Sequence, residues 1–504
     1  MAFERNNFLV AKKVALPKGE LSVECNLNAG CALAKVLSVA VDACVQGKEV
    51  VSGMINYSGA VDVKVIYLTE EGEIGTVSSR CPFSSKFEEA GIVAGGCAQI
   101  SVNVIDYTCD LLGGDSIRIS TDLMQSGFFV SSGSVSTLRC DEADVCYQTE
   151  GMEIIKFLGC ANDTLTIESD INLRDNIKKI LLTESKALVR TAESGANYVV
   201  LTGDVVSRVL YINENDKFES GYIYDSFKQE IELAGVTRDS LVEGYASVCQ
   251  EGVATEIVQD ERGGKLVVKT PINLTAFAFD KENVSVIKDL YATKAEVNIT
   301  TESFSMNNLC GMEVVEGKIE GSLTIDEDNP RVDKILFSGA SRVSVTNQYI
   351  QERELFIEGI AQTTVVYLND DTSSLYSVVI DVPFVISDKT NCQGASTQAV
   401  NAILTDVDVV VKKGRELIFD AKVKATVVCC CDVAGAVISD ASFGEEFGER
   451  DYAMEVIFAK KNSGLWETAK AARVREEQIV AQNPEVIFPV EADTPLVLFY
   501  QRIQ

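Results

Sequence analysis

The sequence predicts a mainly β protein: three tandem β-sandwich-like repeat domains, followed by a small α+β module of βααβ order. Three observations predict this. One passage of chain recurs three times at domain-length intervals, apolar residues inside it alternate with a period of two, and helical spacing replaces that pattern near residue 450.

Each copy carries a Lys-apolar-Leu step: Lys35-Val36-Leu37, Lys179-Ile180-Leu181 and Lys334-Ile335-Leu336. A glycine follows, and a tyrosine eight residues after it: Gly59 and Tyr67, Gly203 and Tyr211, Gly359 and Tyr367. Lysine to tyrosine is 32, 32 and 33 residues, and a phenylalanine comes 16, 16 and 17 residues later, at Phe83, Phe227 and Phe384. The lysines lie 144 and 155 residues apart. That is far beyond the ~20–50-residue period of solenoids and propellers. Each copy is long enough to bury a core of its own, so these are repeated domains.

Val61, Val63, Val65 and Tyr67 fall on one strand face, with Asp62 and Lys64 on the other. The matching faces carry Val205, Ser207, Val209 and Tyr211, then Ala361, Thr363, Val365 and Tyr367. Polar, acidic stretches after the tyrosines predict hairpin tips at Thr69 to Gly72, Asn213 to Asp216 and Asn369 to Thr372. The phenylalanines then read as core residues at the end of the returning strand.

A second block precedes each lysine step: Gly19 to Val23, Asp163 to Ile167 and Gly321 to Ile325. It sets the expected domains at 1–158, 159–316 and 317–447, with the module at 452–504. Asp144 to Thr149 and Lys288 to Thr293 also correspond, which predicts structured β connections and three domains in a rigid row. In the module, Val456 to Ala459 reads as a strand, Leu465 to Lys470 and Glu476 to Ala481 as helices, and Leu496 to Tyr500 as a closing strand.

Composition narrows the function. A net charge of −30 repels nucleic acid and anionic membrane surfaces. No apolar run approaches the ~20 residues that span a membrane, so no membrane insertion is expected. No leader segment is apparent. With no histidine, imidazole-based acid–base catalysis and catalytic triads are excluded, and no phosphate loop or nucleophile elbow occurs. The expectation is a non-enzymatic protein without metal or cofactor. The 15 cysteines, odd in number and without a Cys-x-x-Cys pair, read as free thiols in a reducing cytosol.

The tail resembles a LysM module, a small fold that usually recognises N-acetylglucosamine-containing polymers. Leu465-Trp466, Ala469 and Asn483-Pro484 match its signature, whereas Asn462-Ser463-Gly464 stands where Gly-Asp-Thr is usual. That loop borders the sugar groove in glycan-binding members. Trp466 reads either as the module's core anchor or as part of a contact face.

Tandem β units before such a tail are similar to the SipL-type sporulation proteins of clostridia. The Leu-Thr-Ile-type strand, the Gly-to-Tyr strand and the Pro-Phe end (Pro82-Phe83, Pro383-Phe384) carry the resemblance, and the second copy departs with Ser226 before Phe227. The resemblance implies a role in spore-coat morphogenesis in the mother-cell cytosol, at the forespore surface. It implies a partner too: the coat's basement ATPase, of the stage IV sporulation protein A type, or another coat protein, bound through the tail. Leu465, Trp466, Ile479 and Asn483 are the candidate contact residues. The alternative is a peptidoglycan or N-acetylglucosamine-polymer binder acting through the same module.

Overall fold

The computed structural model describes residues 3–500, apart from 174, 261–262, 328, 370–373, 393–394, 449 and 451. Strand makes up 78% of it and helix 4%, so the protein is mainly β. Repeat 1 comprises β1 (Phe3–Asn28), β2 (Leu33–Val51), β3 (Met54–Thr69), β4 (Ile74–Glu88), β5 (Cys97–Gly113) and β6 (Ser116–Cys140). Repeat 2 comprises β7 (Val145–Asn172), β8 (Ile177–Ser194), β9 (Tyr198–Asn213), β10 (Phe218–Glu232), β11 (Leu241–Val248), β12 (Ala254–Asp260) and β13 (Gly263–Ala292). Repeat 3 comprises β14 (Ala295–Thr324), β15 (Val332–Gln351), β16 (Glu354–Asn369), β17 (Leu375–Lys389), β18 (Ser396–Lys412) and β19 (Glu416–Glu446).

The strands pair in the same way three times. A short sheet takes the order β2-β3-β4, β8-β9-β10 or β15-β16-β17. A long sheet pairs the first and last strands of each repeat, β1 with β6, β7 with β13 and β14 with β19, and adds β5, β11 with β12, or β18. The two sheets face each other over an apolar core. In repeat 1, Val61, Val63 and Val65 of the short sheet meet Ile117, Ile119 and Leu123 of the long one. Copies 2 and 3 put hydroxyls where copy 1 has Val63, and these are satisfied internally: Ser207 with Ser185, and Thr363 with Ser341, each at 2.8 Å.

The glycine and phenylalanine landmarks are one feature. Gly59, Gly203 and Gly359 lie directly across the sheet from Phe83, Phe227 and Phe384. A Cβ at these glycines would meet the ring at 2.6, 2.4 and 2.7 Å, and a neighbouring carbonyl oxygen closer still. Only glycine lets the ring lie flat on the strand. The tyrosines occupy equivalent buried places on β3, β9 and β16, opposite Val36, Ile180 and Ile335. The third copy's extra residue before its tyrosine is absorbed by an added bulge between Ser338 and Ser341. Its hairpin-tip residues Asp370-Asp371-Thr372 lie outside the described residues.

Two expectations need correction. The boundaries at 158/159 and 316/317 fall inside β7 and β14, because the Leu165 and Leu323 blocks are the second halves of strands beginning at Val145 and Ala295. The 144–149 and 288–293 segments do not occupy matching places: their tyrosines are near-neighbours on paired antiparallel strands, Tyr291 opposing Cys146 and Tyr147 opposing Leu290.

Nor do the repeats form a row; they close into a ring. Gln250 of repeat 2 donates to Asp42 of repeat 1 at 2.9 Å, Tyr224 of repeat 2 bonds Asp406 of repeat 3, and Arg342 of repeat 3 lies 3.7 Å from Asp106 of repeat 1. The physical reason lies in the outer faces of the short sheets, which are themselves partly apolar. Leu37 and Ile66, Leu181 and Leu210, and Phe337 and Val366 form one shared cluster; in a row it would face water. The long strands run on past the sandwiches and converge in a second three-way cluster, built from Phe8, Phe128, Ile155, Phe277, Met306 and Val428. There Lys13 of repeat 1 pairs with Glu243 of repeat 2 at 3.0 Å, their side chains 2% and 0% exposed.

The cysteines are not all thiols. Cys25–Cys81, Cys44–Cys249 and Cys97–Cys160 form disulfides, and nine thiols remain. The last two disulfides join repeat 1 to repeat 2. Their partners are neighbours through the fold, not through the sequence, so spacing does not reveal them.

Candidate partner interface on the C-terminal module

The last unit is β20 (Met454–Ala459), α1 (Leu465–Ala472), α2 (Glu476–Gln482) and β21 (Thr494–Phe499), with β20 and β21 antiparallel. Helix α1 begins after an extended Gly464 and stops where Arg473 turns left-handed at φ 57°. Asn483 closes α2 onto β21: its amide donates to the Ile479 and Val497 carbonyls, and its side-chain oxygen accepts from the Val497 N–H at 2.8 Å. Its role in the structure is a clamp.

The structure brings the other candidate residues together, but inside. Ile479 is fully buried, Trp466 is 6% exposed, and Leu465 packs partly buried on the same cluster. Trp466 also holds the module to the ring. Its indole N–H donates to Asp289 of β13 at 2.8 Å, and its ring meets Tyr291 edge-on at 4.9 Å between centroids. Tyr291 in turn donates to the Val474 carbonyl at 2.7 Å, and Lys470 pairs with Asp289 at 2.6 Å. Burial works against the charged form of Asp289, but the hydrogen bonds from Lys470 and Trp466 outweigh it and hold its carboxyl below its usual pKa. Burial, then the contact with Cys146, raises the Tyr291 phenol, so it stays a donor.

The open face lies on the other side of the two-stranded sheet. Met454, Val456 and Phe458 alternate outward on β20 and are 54%, 50% and 66% exposed. On β21 they are paired with Phe499, Val497 and Pro495. No charged side chain alternates with these six on that face, so the sheet presents an uncovered apolar surface there. Sequence reasoning missed it, although a signal was present. Val456-Ile457-Phe458 and Leu496 to Phe499 are apolar in both strand phases, and a two-stranded sheet with helices on one side can cover only one.

The loop expected to border a sugar groove is occupied with its own bonding. The Asn462 N–H donates to the Val490 carbonyl, and the Ser463 hydroxyl donates to the Lys460 carbonyl at 2.6 Å.

Residues 33–112 match the family model described as SipL, SPOCS domain. That stretch of the first copy is similar to a SipL-type SPOCS domain. The match runs from the start of β2 almost to the end of β5, and so takes in Lys35, Gly59, Tyr67 and Phe83 of the first copy. It supports a SipL-type, sporulation-associated protein. Comparison with curated proteins and with solved structures gives no match. Among the described residues, no helix is long and apolar enough to cross a membrane.

Proposed function

We propose that this SipL-type protein is a non-enzymatic adaptor of spore-coat morphogenesis, in which the ring is a rigid platform and the C-terminal module recruits a coat protein. The partner is a basement ATPase of the stage IV sporulation protein A type. The observation that carries the reading is the uncovered apolar face of β20 and β21. Interface energy concentrates in a few apolar and aromatic anchors, and Phe458 and Phe499 supply them. Trp466, Ile479 and Asn483 serve the same end indirectly, by holding that sheet on the ring. The glycan reading is weaker, because the Asn462 N–H and the Ser463 N–H and hydroxyl of that loop are bonded within the module.

The test is titration of the full chain against the purified ATPase and, separately, against soluble chitin oligomers. ATPase binding that vanishes in Val456→Asp/Phe458→Asp, with no sugar binding, is the expected result. Sugar binding without ATPase binding reverses the ranking. The three disulfides weigh against the mother-cell cytosol, which is tested by thiol counting on the denatured protein taken straight from the cell. Fifteen thiols fit that compartment, and nine, with the three disulfides intact, fit an oxidising one.

A further inference from the structure

Equivalent positions around the ring do not carry equivalent charges, and the mismatch leaves two cations on one cavity. The strand registers align Asp42, Lys186 and Arg342, each opposite the third residue after its landmark glycine. Asp42 and Lys186 neutralise each other at 2.7 Å. Arg342 is left with the exposed Asp106 at 3.7 Å and the Tyr107 ring beneath it, and its Nη1 is buried with no acceptor among the described residues. Two residues along the central strands, Lys64, Arg208 and Thr364 align in the same way. The two terminal nitrogens of Arg208 are engaged by the Ser338 and Gly339 carbonyls and by Ser341, although its Nε has no acceptor among the described residues. Lys64 has no hydrogen-bond partner among the described residues. Burial pushes the Lys64 ammonium below its usual pKa, and the carboxylate that acts against this, Glu184, is shared with Arg208 at 3.9 Å.

Lys64 and Arg342 both line a cavity of about 760 Å³ where the three repeats meet. Small-molecule sites usually fall within about 300–1,000 Å³. Its apolar wall includes Leu182, Val343, Ile403 and Leu404. Four carboxylates line it as well: Asp42 is held by Lys186 and Gln250, Asp62 and Glu251 both by Arg80, and Glu184 is shared between Arg208 and Lys64. Within this lining, Lys64 Nζ and Arg342 Nη1 are left without a hydrogen-bond acceptor among the described residues.

We propose that this cavity binds a small organic anion, a carboxylate or phosphate ester on an apolar body, with Lys64 and Arg342 holding the charged end. The ligand bridges repeats 1 and 3 and so stabilises the closed ring by mass action. The site is remote from the C-terminal module and stands or falls independently of the adaptor role.

The experiment is calorimetric titration of the full chain with phenyl phosphate and with benzoate, which distinguish the two headgroups, and with benzyl alcohol as the neutral counterpart. At least one anion should bind, benzyl alcohol should not, and Lys64→Met and Arg342→Gln should each weaken binding about tenfold or more. Lys64→Arg, which keeps the charge, should retain most of it. As a readout free of variants, the bound anion should protect Lys64 of the unmodified chain from acetylation, read by mass spectrometry. Failure of both anions to bind, equal binding of benzyl alcohol, or an anion that binds without protecting Lys64 overturns the proposal.

Discussion

The short sheets of the ring and the two-stranded sheet of the C-terminal module face the same problem and resolve it differently. Each is apolar on both sides. In the ring, the second side of each short sheet is covered by the other repeats, through Leu37, Ile66, Leu181, Leu210, Phe337 and Val366. In the module, α1, α2 and the end of β13 cover one side, while Met454, Val456, Phe458 and Phe499 stay in water. An apolar second face is therefore not by itself a sign of binding. It becomes one only where the chain supplies no cover.

The comparison can be broken where it is strongest. Removing Glu243 leaves Lys13 buried without its partner at the meeting of the long sheets, and Glu243→Ala should cost about 3–5 kcal/mol in urea unfolding. The double change Lys13→Met/Glu243→Leu should restore most of that loss. If the single change is neutral, the three-way cluster is not closed in solution.

Trp466→Ala should have an effect of about the same order, roughly 3–5 kcal/mol, but confined to the module. Hydrogen exchange should rise across residues 454–499 while β3, β9 and β16 keep their protection. A uniform rise would mean that module and ring unfold as one unit.

Acid should loosen the same joint more gently. The Asp289 carboxyl titrates below its unfolded value of about 3.9, so its contribution is complete above that pH and is lost as pH falls through the folded pKa. Amide exchange in α1 should therefore quicken below about pH 4 before the ring melts. Asp289→Asn should remove that pH step.

The smallest stability effect belongs to the open face. Val456→Asp/Phe458→Asp should lower stability by no more than about 1 kcal/mol, because both side chains are at least half exposed. A large loss would show that something of the chain's own covers this sheet.

Local chemistry was legible in the sequence. The Gly59, Gly203 and Gly359 spacing to Tyr67, Tyr211 and Tyr367 reflects a single strand, and the alternation of Val61, Val63 and Val65 reported the buried face correctly. The order β20, α1, α2, β21 followed from helical spacing and the Asn483-Pro484 stop. Contacts distant in sequence were not legible. Cys44 and Cys249 are 205 residues apart, and Arg208 finds its partners in a bulge of another repeat. Trp466 stayed ambiguous because a tryptophan that docks a module onto its own chain has the same composition signal as one that docks a partner. The outward residues of β20 were visible as apolar, but which strand phase stays bare depends on where the helices pack.

Ring closure also has a consequence for the order of events during synthesis. The outer face of repeat 1 is covered partly by Phe337 and Val366, and Phe3 ends up beside Phe443, its ring centroid 5.2 Å away. None of these partners exists when repeat 1 leaves the ribosome. At roughly 5–20 residues per second, the roughly 300 residues separating repeat 1 from the end of repeat 3 correspond to about 15–60 seconds. Leu37 and Ile66 are uncovered until repeat 2 follows, and their cover is complete only at the end of that interval, when Phe337 and Val366 arrive. The nascent chain thus passes through a stage in which its own second and third copies compete with every neighbouring polysome for the same sticky face.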